Sequence, residues 1–109
     1  MTWLLRDGDV LAAADVAAGL SGRTRGLMGQ SAYEGAMVLP RTRSVHTFGM
    51  RFAVDVAICD KDMVVVGVTR LRPWRISVPR RGGRSVVEAQ AGAFERWGLK
   101  VGDKLELRG

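Results

Sequence analysis

The chain has 109 residues, a net charge of +6 and 47% hydrophobic residues, enough to bury a core as one domain spanning 1–109. One cysteine, Cys59, excludes an internal disulfide and any multi-cysteine zinc site. No apolar run approaches the roughly 18 residues of a membrane span, and Met1 to Asp7 carry no basic start followed by an apolar run, so a soluble cytoplasmic protein without membrane contact is expected.

Trp3-Leu4-Leu5, a turn at Asp7-Gly8-Asp9 and Val10-Leu11-Ala12 read as a β-hairpin. The run from Ala12 to Ala18 suits a helix by propensity and a continuing strand by position. Ser21 is a candidate N-cap for a short helix through about Met28, weakened by Gly22, Gly26 and Gly29 at about 1 kcal/mol each relative to alanine. Ala36 to Leu39 is a short buried strand ended by Pro40.

From Phe52 to Ile58 large and small residues alternate. Phe52, Val54, Val56 and Ile58 share one face, and Ala53, Asp55, Ala57 and Cys59 the other. Asp60-Lys61-Asp62 turns into a valine-rich strand, Met63 to Thr69, and the pair reads as a central hairpin. Pro79 to Arg84 is a loop by composition, followed by a strand from Ser85 to Ala89. Gly92 to Trp97 fits a short helix, Gly98 the left-handed position that ends it, and Leu99 the contact that follows. Lys104 to Leu107 alternate as a last strand. The expected fold is α+β and mostly β: a compact domain, barrel-like or a partly open antiparallel sheet, with two short helices.

Charge is unevenly distributed. Gly35 to Val54 holds three arginines and no acid; Met63 to Val87 holds six arginines and no acid. Such stretches attract anions: nucleic acid, phosphorylated ligands or an acidic partner. The same pattern also suits an arginine-rich but ordinary solvated surface.

Four ordered segments carry a family resemblance. They are Arg25-Gly26-Leu27-Met28, the stretch from His46 to Asp55, Pro73-Trp74-Arg75, and Val87-Glu88 with Ala91-Gly92. Together they resemble domain-of-unknown-function family 192, also called the UPF 0127 group, over nearly the whole chain. The resemblance implies a small β-rich domain found in bacteria and archaea, with no assigned biochemical function. Ala53 departs from the pattern, in which a proline often precedes the Ile/Val-Asp pair. Some relatives carry a secretion signal; the absence of one here argues against an extracytoplasmic role.

His46 and Asp55 form the most obvious chemical pair, a general base oriented by a carboxylate, with Cys59 as a nucleophile. Strand spacing opposes this triad, because four residues at roughly 3.3 Å each hold Asp55 and Cys59 about 13 Å apart. A ring buried against backbone or an acid is the favoured place for His46. His46, Asp55 and Glu88 lack short ligand spacing, so no metal and no cofactor is expected. Asp55 or Glu88 pairing with Arg51 or Arg75 as a buried bridge is one reading of the charged residues. An anion pocket walled by Trp74 is the other. Phe48 and Trp74 also suit base stacking.

These residues lead to three functional expectations. The first is non-enzymatic binding of a small anionic ligand or a protein partner around His46, Arg51, Asp55, Trp74, Arg75 and Glu88. The second is RNA or single-stranded DNA binding through Arg70, Arg72, Arg80, Arg81 and Arg84. The third is a His46–Asp55 enzyme without a nameable substrate. A monomer or weak homo-oligomer is expected.

Overall fold

A computed structural model describes residues 1–17 and 34–109. The helix expected between Ser21 and Met28 lies outside the described residues, as does the Arg25-to-Met28 motif. The elements are β1 (Thr2–Arg6), β2 (Asp9–Val16), β3 (Ala36–Pro40), β4 (Val54–Cys59), β5 (Val65–Leu71), β6 (Ser85–Gln90), α1 (Ala93–Trp97) and β7 (Leu105–Arg108).

The seven strands form one sheet in the order β5-β4-β6-β3-β2-β1-β7. Neighbours are antiparallel except β2 and β3, which run parallel. The sheet curls until its first and last strands approach. Val64 bridges Lys104, the Val65 N–H donates to the Asp103 carbonyl at 2.8 Å, and the Leu105 N–H donates to the Met63 carbonyl at 2.9 Å. This is the mostly β, barrel-like α+β fold that the strand pattern implies, with one short helix among the described residues.

Every residue of β4 is buried, which places it at the centre. Its period-two pattern divides the interior into two layers. Val54, Val56 and Ile58 pack with Met37, Leu39, Val86, Val45, Met50 and Phe52 on one face. Ala57 and Cys59 pack with Val38, Val87, Ala93, Phe94 and Leu105 on the other. Phe52 lies before the strand proper but joins the layer its parity assigns.

The helical option for Ala12 to Ala18 is overturned as far as Val16, because β2 continues as strand against β1 and β3. The strand expected at Met63 begins at Val65, because Met63 sits in a left-handed turn with φ 63°. The last strand is Leu105–Arg108, one residue later than its alternation suggests. Helix α1 ends as expected: Gly98 takes φ 65°, and the Leu99 N–H donates to the Phe94 carbonyl at 2.9 Å.

Gly35 opens β3 at φ 87°, and a Cβ built there would sit 2.8 Å from the Ala13 carbonyl oxygen. Both the backbone angle and the approach of β2 require glycine. Gly35→Ala is expected to lower stability by more than about 1 kcal/mol, read as a fall in the urea midpoint at unchanged slope.

Candidate functional site

Asp55 has a structural task. On β4 it faces α1, and it is 4% exposed. One carboxylate oxygen accepts from Arg70 Nε at 2.9 Å. The other accepts from the N–H groups of Gly92 at 2.9 Å and Phe94 at 3.2 Å. These are donors at the start of α1, which has no side-chain cap of its own. Arg70 stands directly across from Asp55 on β5, and the hydrogen bond it donates to the carboxylate strengthens its hold on its proton. The expected bridge from Asp55 to Arg51 or Arg75 is therefore corrected: the partner is Arg70. Asp55 lines a shallow depression of about 570 Å³ with Phe94 and Leu99, but both its oxygens are already engaged.

Glu88 is also interior, at 1% exposed, and it is partnered there. It lies beside Met37 and Val56 on the face opposite Asp55. The two carboxylates thus point to different sides of one sheet.

His46 lies in neither interior layer. Residues 44–48 run antiparallel to 74–78, with His46 bridged to Ile76. The Ser77 N–H donates to the Val45 carbonyl and the Thr47 N–H to the Arg75 carbonyl, both at 2.8 Å. Hydroxyls extend this ribbon where carbonyls do not reach. Thr47 Oγ1 accepts the Arg75 N–H at 2.8 Å, and Ser77 Oγ accepts the Val45 N–H at 2.9 Å. Val45, Thr47 and Ser77 are buried beneath the ribbon. His46 is half-buried, its Nδ1 accepts the Phe48 N–H at 3.2 Å, and its ring stacks on Phe48 at 4.8 Å. It meets backbone, as expected for a structural histidine, but it is neither fully buried nor held by an acid.

The six-residue set does not form one cleft. His46, Trp74 and Arg75 share the ribbon, and Arg51 is exposed just beyond its end. Asp55 and Glu88 lie inside the domain. The His46–Asp55 dyad is corrected for the same reason, since the segment carrying His46 covers the sheet face opposite Asp55. Among the described residues no cluster of three or more His, Cys, Asp and Glu side chains is arranged to hold a metal ion.

Trp74 is 63% exposed and takes φ 64°. A bulky residue in the left-handed region costs on the order of 1–3 kcal/mol unless its surroundings impose it. Thr47 imposes it here: its carbonyl accepts the Trp74 N–H at 3.0 Å, while its own hydroxyl donates to the Arg72 carbonyl at 2.7 Å.

The arginines separate in the same way. Arg70 is neutralised by Asp55. The Arg80 side chain lies over Gly67 of β5, where a Cβ would stand 2.8 Å from its Nε. Arg72 and Arg81 are exposed. Arg84 joins Arg41 and Arg43, which the strand pattern alone did not single out, around a cleft of about 450 Å³ over Gly82 and Gly83. The Thr42 N–H donates to the Arg84 carbonyl at 3.0 Å and ties the two walls together. Among the described residues none of these three arginines is in an ion pair. The clue in the sequence was the acid-free run from Gly35 to Val54, which contains two of them.

The profile of the family DUF192, described as "Uncharacterized ACR, COG1430", matches residues 3–107. The chain belongs to the DUF192 family. Relatives include UPF0127 proteins of Pyrococcus abyssi, 41% identical over 63 residues, and of Pyrococcus furiosus, 43% identical over 63 residues. Each match covers 58% of this chain and 54% of the relative, so the similarity spans about half the length of these proteins. The DUF192 fold recurs in a Novosphingobium aromaticivorans protein of unknown function, at TM-score 0.77 and 20% identity, over 96% of this chain and 82% of that one. It recurs also in a Sinorhizobium meliloti protein proposed to be a transcription regulator, at TM-score 0.75 and 25% identity, over 96% of this chain and 90% of that one. No described helix of this DUF192 domain is long and apolar enough to cross a membrane.

Two expectations test these assignments. Asp55→Ala orphans the donors at Gly92 and Phe94 and should destabilise the fold by about 1–3 kcal/mol in urea unfolding. Burial, aided by the nearby Asp60 charge, pushes the Cys59 thiol from 9.0 up to about 12. The native protein should therefore resist thiol reagents at pH 8 and react only on unfolding. Above pH 9 the unfolded chain loses this proton before the native one does, so the thiol's contribution to stability falls as pH rises towards about 12. Urea midpoints at pH 8 and 10 should fall more in the wild type than in Cys59→Ala.

Proposed function

We propose that this chain is a non-enzymatic binding domain for an anionic ligand, seated in the cleft of Arg41, Arg43 and Arg84. The observation that carries this reading is that three arginines line one cleft of about 450 Å³ and that none of them is in an ion pair among the described residues. Cations gathered without a counter-charge repel one another, and a bound anion relieves that repulsion. A guanidinium presents a planar fork of donors that suits phosphate or carboxylate. Gly82 adds room, since nothing lies within 4 Å of where its Cβ would be. The cleft is preorganised, because Thr42 and Arg84 join its walls and Arg41 is held at φ 53°. Each feature favours recognition by charge and shape over chemistry on a bound substrate.

Inorganic pyrophosphate is a suitable probe. Calorimetric titration at low salt should show binding that weakens as salt is raised. Arg43→Ala and Arg84→Ala should each lower the affinity about tenfold or more, because each removes charged hydrogen bonds worth roughly 1.5–3 kcal/mol. Both side chains are exposed, so thermal unfolding should stay close to wild type. No heat of binding at low salt, or equal affinity in both variants, would falsify the reading.

A further inference from the structure

We propose that the arginine cleft is one end of a track for single-stranded nucleic acid, whose other end is an aromatic platform on the 44–48/74–78 ribbon. The proposal rests on the anion-site reading and extends it to a ligand class.

The platform follows from the ribbon's alternation. Val45, Thr47 and Ser77 point inward, so Ser44, His46 and Phe48 face outward opposite Val78, Ile76 and Trp74. The rings form a column: Phe48 stacks on His46 at 4.8 Å with planes 25° apart, and on Trp74 at 5.9 Å with planes 28° apart. Phe48 is 41% exposed and Trp74 is 63% exposed, so both rings present surface to solvent. Core packing does not account for this arrangement. The left-handed backbone at Trp74, held by Thr47, keeps a large aromatic ring out of the interior.

Charge then narrows the occupant. Arg75 is exposed on the ribbon and Arg43, Arg51 and Arg72 are exposed on the residues that flank it, and neither acid-free run supplies a carboxylate. Aromatic faces beside unpaired guanidiniums are the combination that binds single strands: bases stack, phosphates meet the cations, and sequence matters little. A duplex hides its base faces and loses the stacking contribution.

Length points to an oligomer. Arg43 lies in a bend five residues before Phe48, so at most about 16 Å separates them, at roughly 3.3 Å per residue. At about 3.4 Å per stacked nucleotide a strand of up to roughly five nucleotides spans both ends. A free phosphate or a single nucleotide occupies only one end.

The test uses fluorescence anisotropy of labelled ten-nucleotide oligo-dU and oligo-rU with the full chain, alongside pyrophosphate calorimetry. Wild type should bind at least one oligonucleotide more tightly than pyrophosphate, with the logarithm of affinity falling linearly against the logarithm of salt concentration. Phe48→Ala and Trp74→Ala should each weaken oligonucleotide binding about tenfold and leave pyrophosphate binding unchanged. Arg43→Ala should weaken both. A preference between the two oligonucleotides identifies the sugar the track accepts. Pyrophosphate binding without tighter oligonucleotide binding overturns the track alone, as does tight binding indifferent to both aromatic substitutions. Absence of pyrophosphate binding overturns the underlying anion-site reading. Exposed Ile76 and Val78 also suit an anionic bilayer. Trp74-dependent sedimentation with phosphatidylserine vesicles, without oligonucleotide binding, would replace the track with a membrane surface.

Discussion

A carboxylate buried at the centre of a sheet has to be surrounded by donors, because an isolated buried charge is very costly. Asp55 meets that requirement with a guanidinium from the next strand and two backbone amides from α1. One side chain thereby links the β4–β5 hairpin to the start of α1, 37 residues further along the chain. It sets where α1 sits on the sheet and removes Arg70 from the cations available to a ligand. The polar residue that looked most like a catalytic partner is instead a joint of the framework.

On the other face of the sheet a different economy of donors operates. Thr47 is fully buried, yet its backbone and hydroxyl serve Arg72, Trp74 and Arg75, while Ser77 serves Val45. These hydroxyls let two irregular segments hold a ribbon shape without a complete backbone ladder. Buried polar groups are satisfied by this means, and the residues above them are left free to face solvent. The ordered interior and the exposed aromatic column are two sides of the same set of bonds.

Much of this was legible in the residues, for identifiable reasons. Strand parity separates Phe52, Val54, Val56 and Ile58 from Asp55, Ala57 and Cys59, because a period of two needs no knowledge of neighbours. The end of α1 was legible because Gly98 and Leu99 form a local signal. The partner of Asp55 was not. The β4–β5 register shifts by one residue between Ile58 and Cys59, and only that shift places Arg70, rather than Thr69, opposite Asp55. A bulge is set by the whole sheet and leaves no simple mark in the hairpin. The stretch from His46 to Asp55 misled for a related reason: it reads as one motif, but it starts on the outer ribbon and ends beneath α1. Arg41, Arg43 and Arg84 line one cleft because the end of β3 lies beside the start of β6, with Pro40 opposite Ser85.

The helix supported by Asp55 also bears on the order of folding. Five residues are too few to hold a helix in water, since nucleation is unfavourable and the chain gains little by extending so short a run. The cap for α1 comes from 37 positions earlier, so it exists only once β4 has been brought alongside β6. Helix formation is then a late event that follows long-range strand pairing. The only short-range helix among the described residues waits on contacts of high sequence separation, and the speed of folding is set by the sheet.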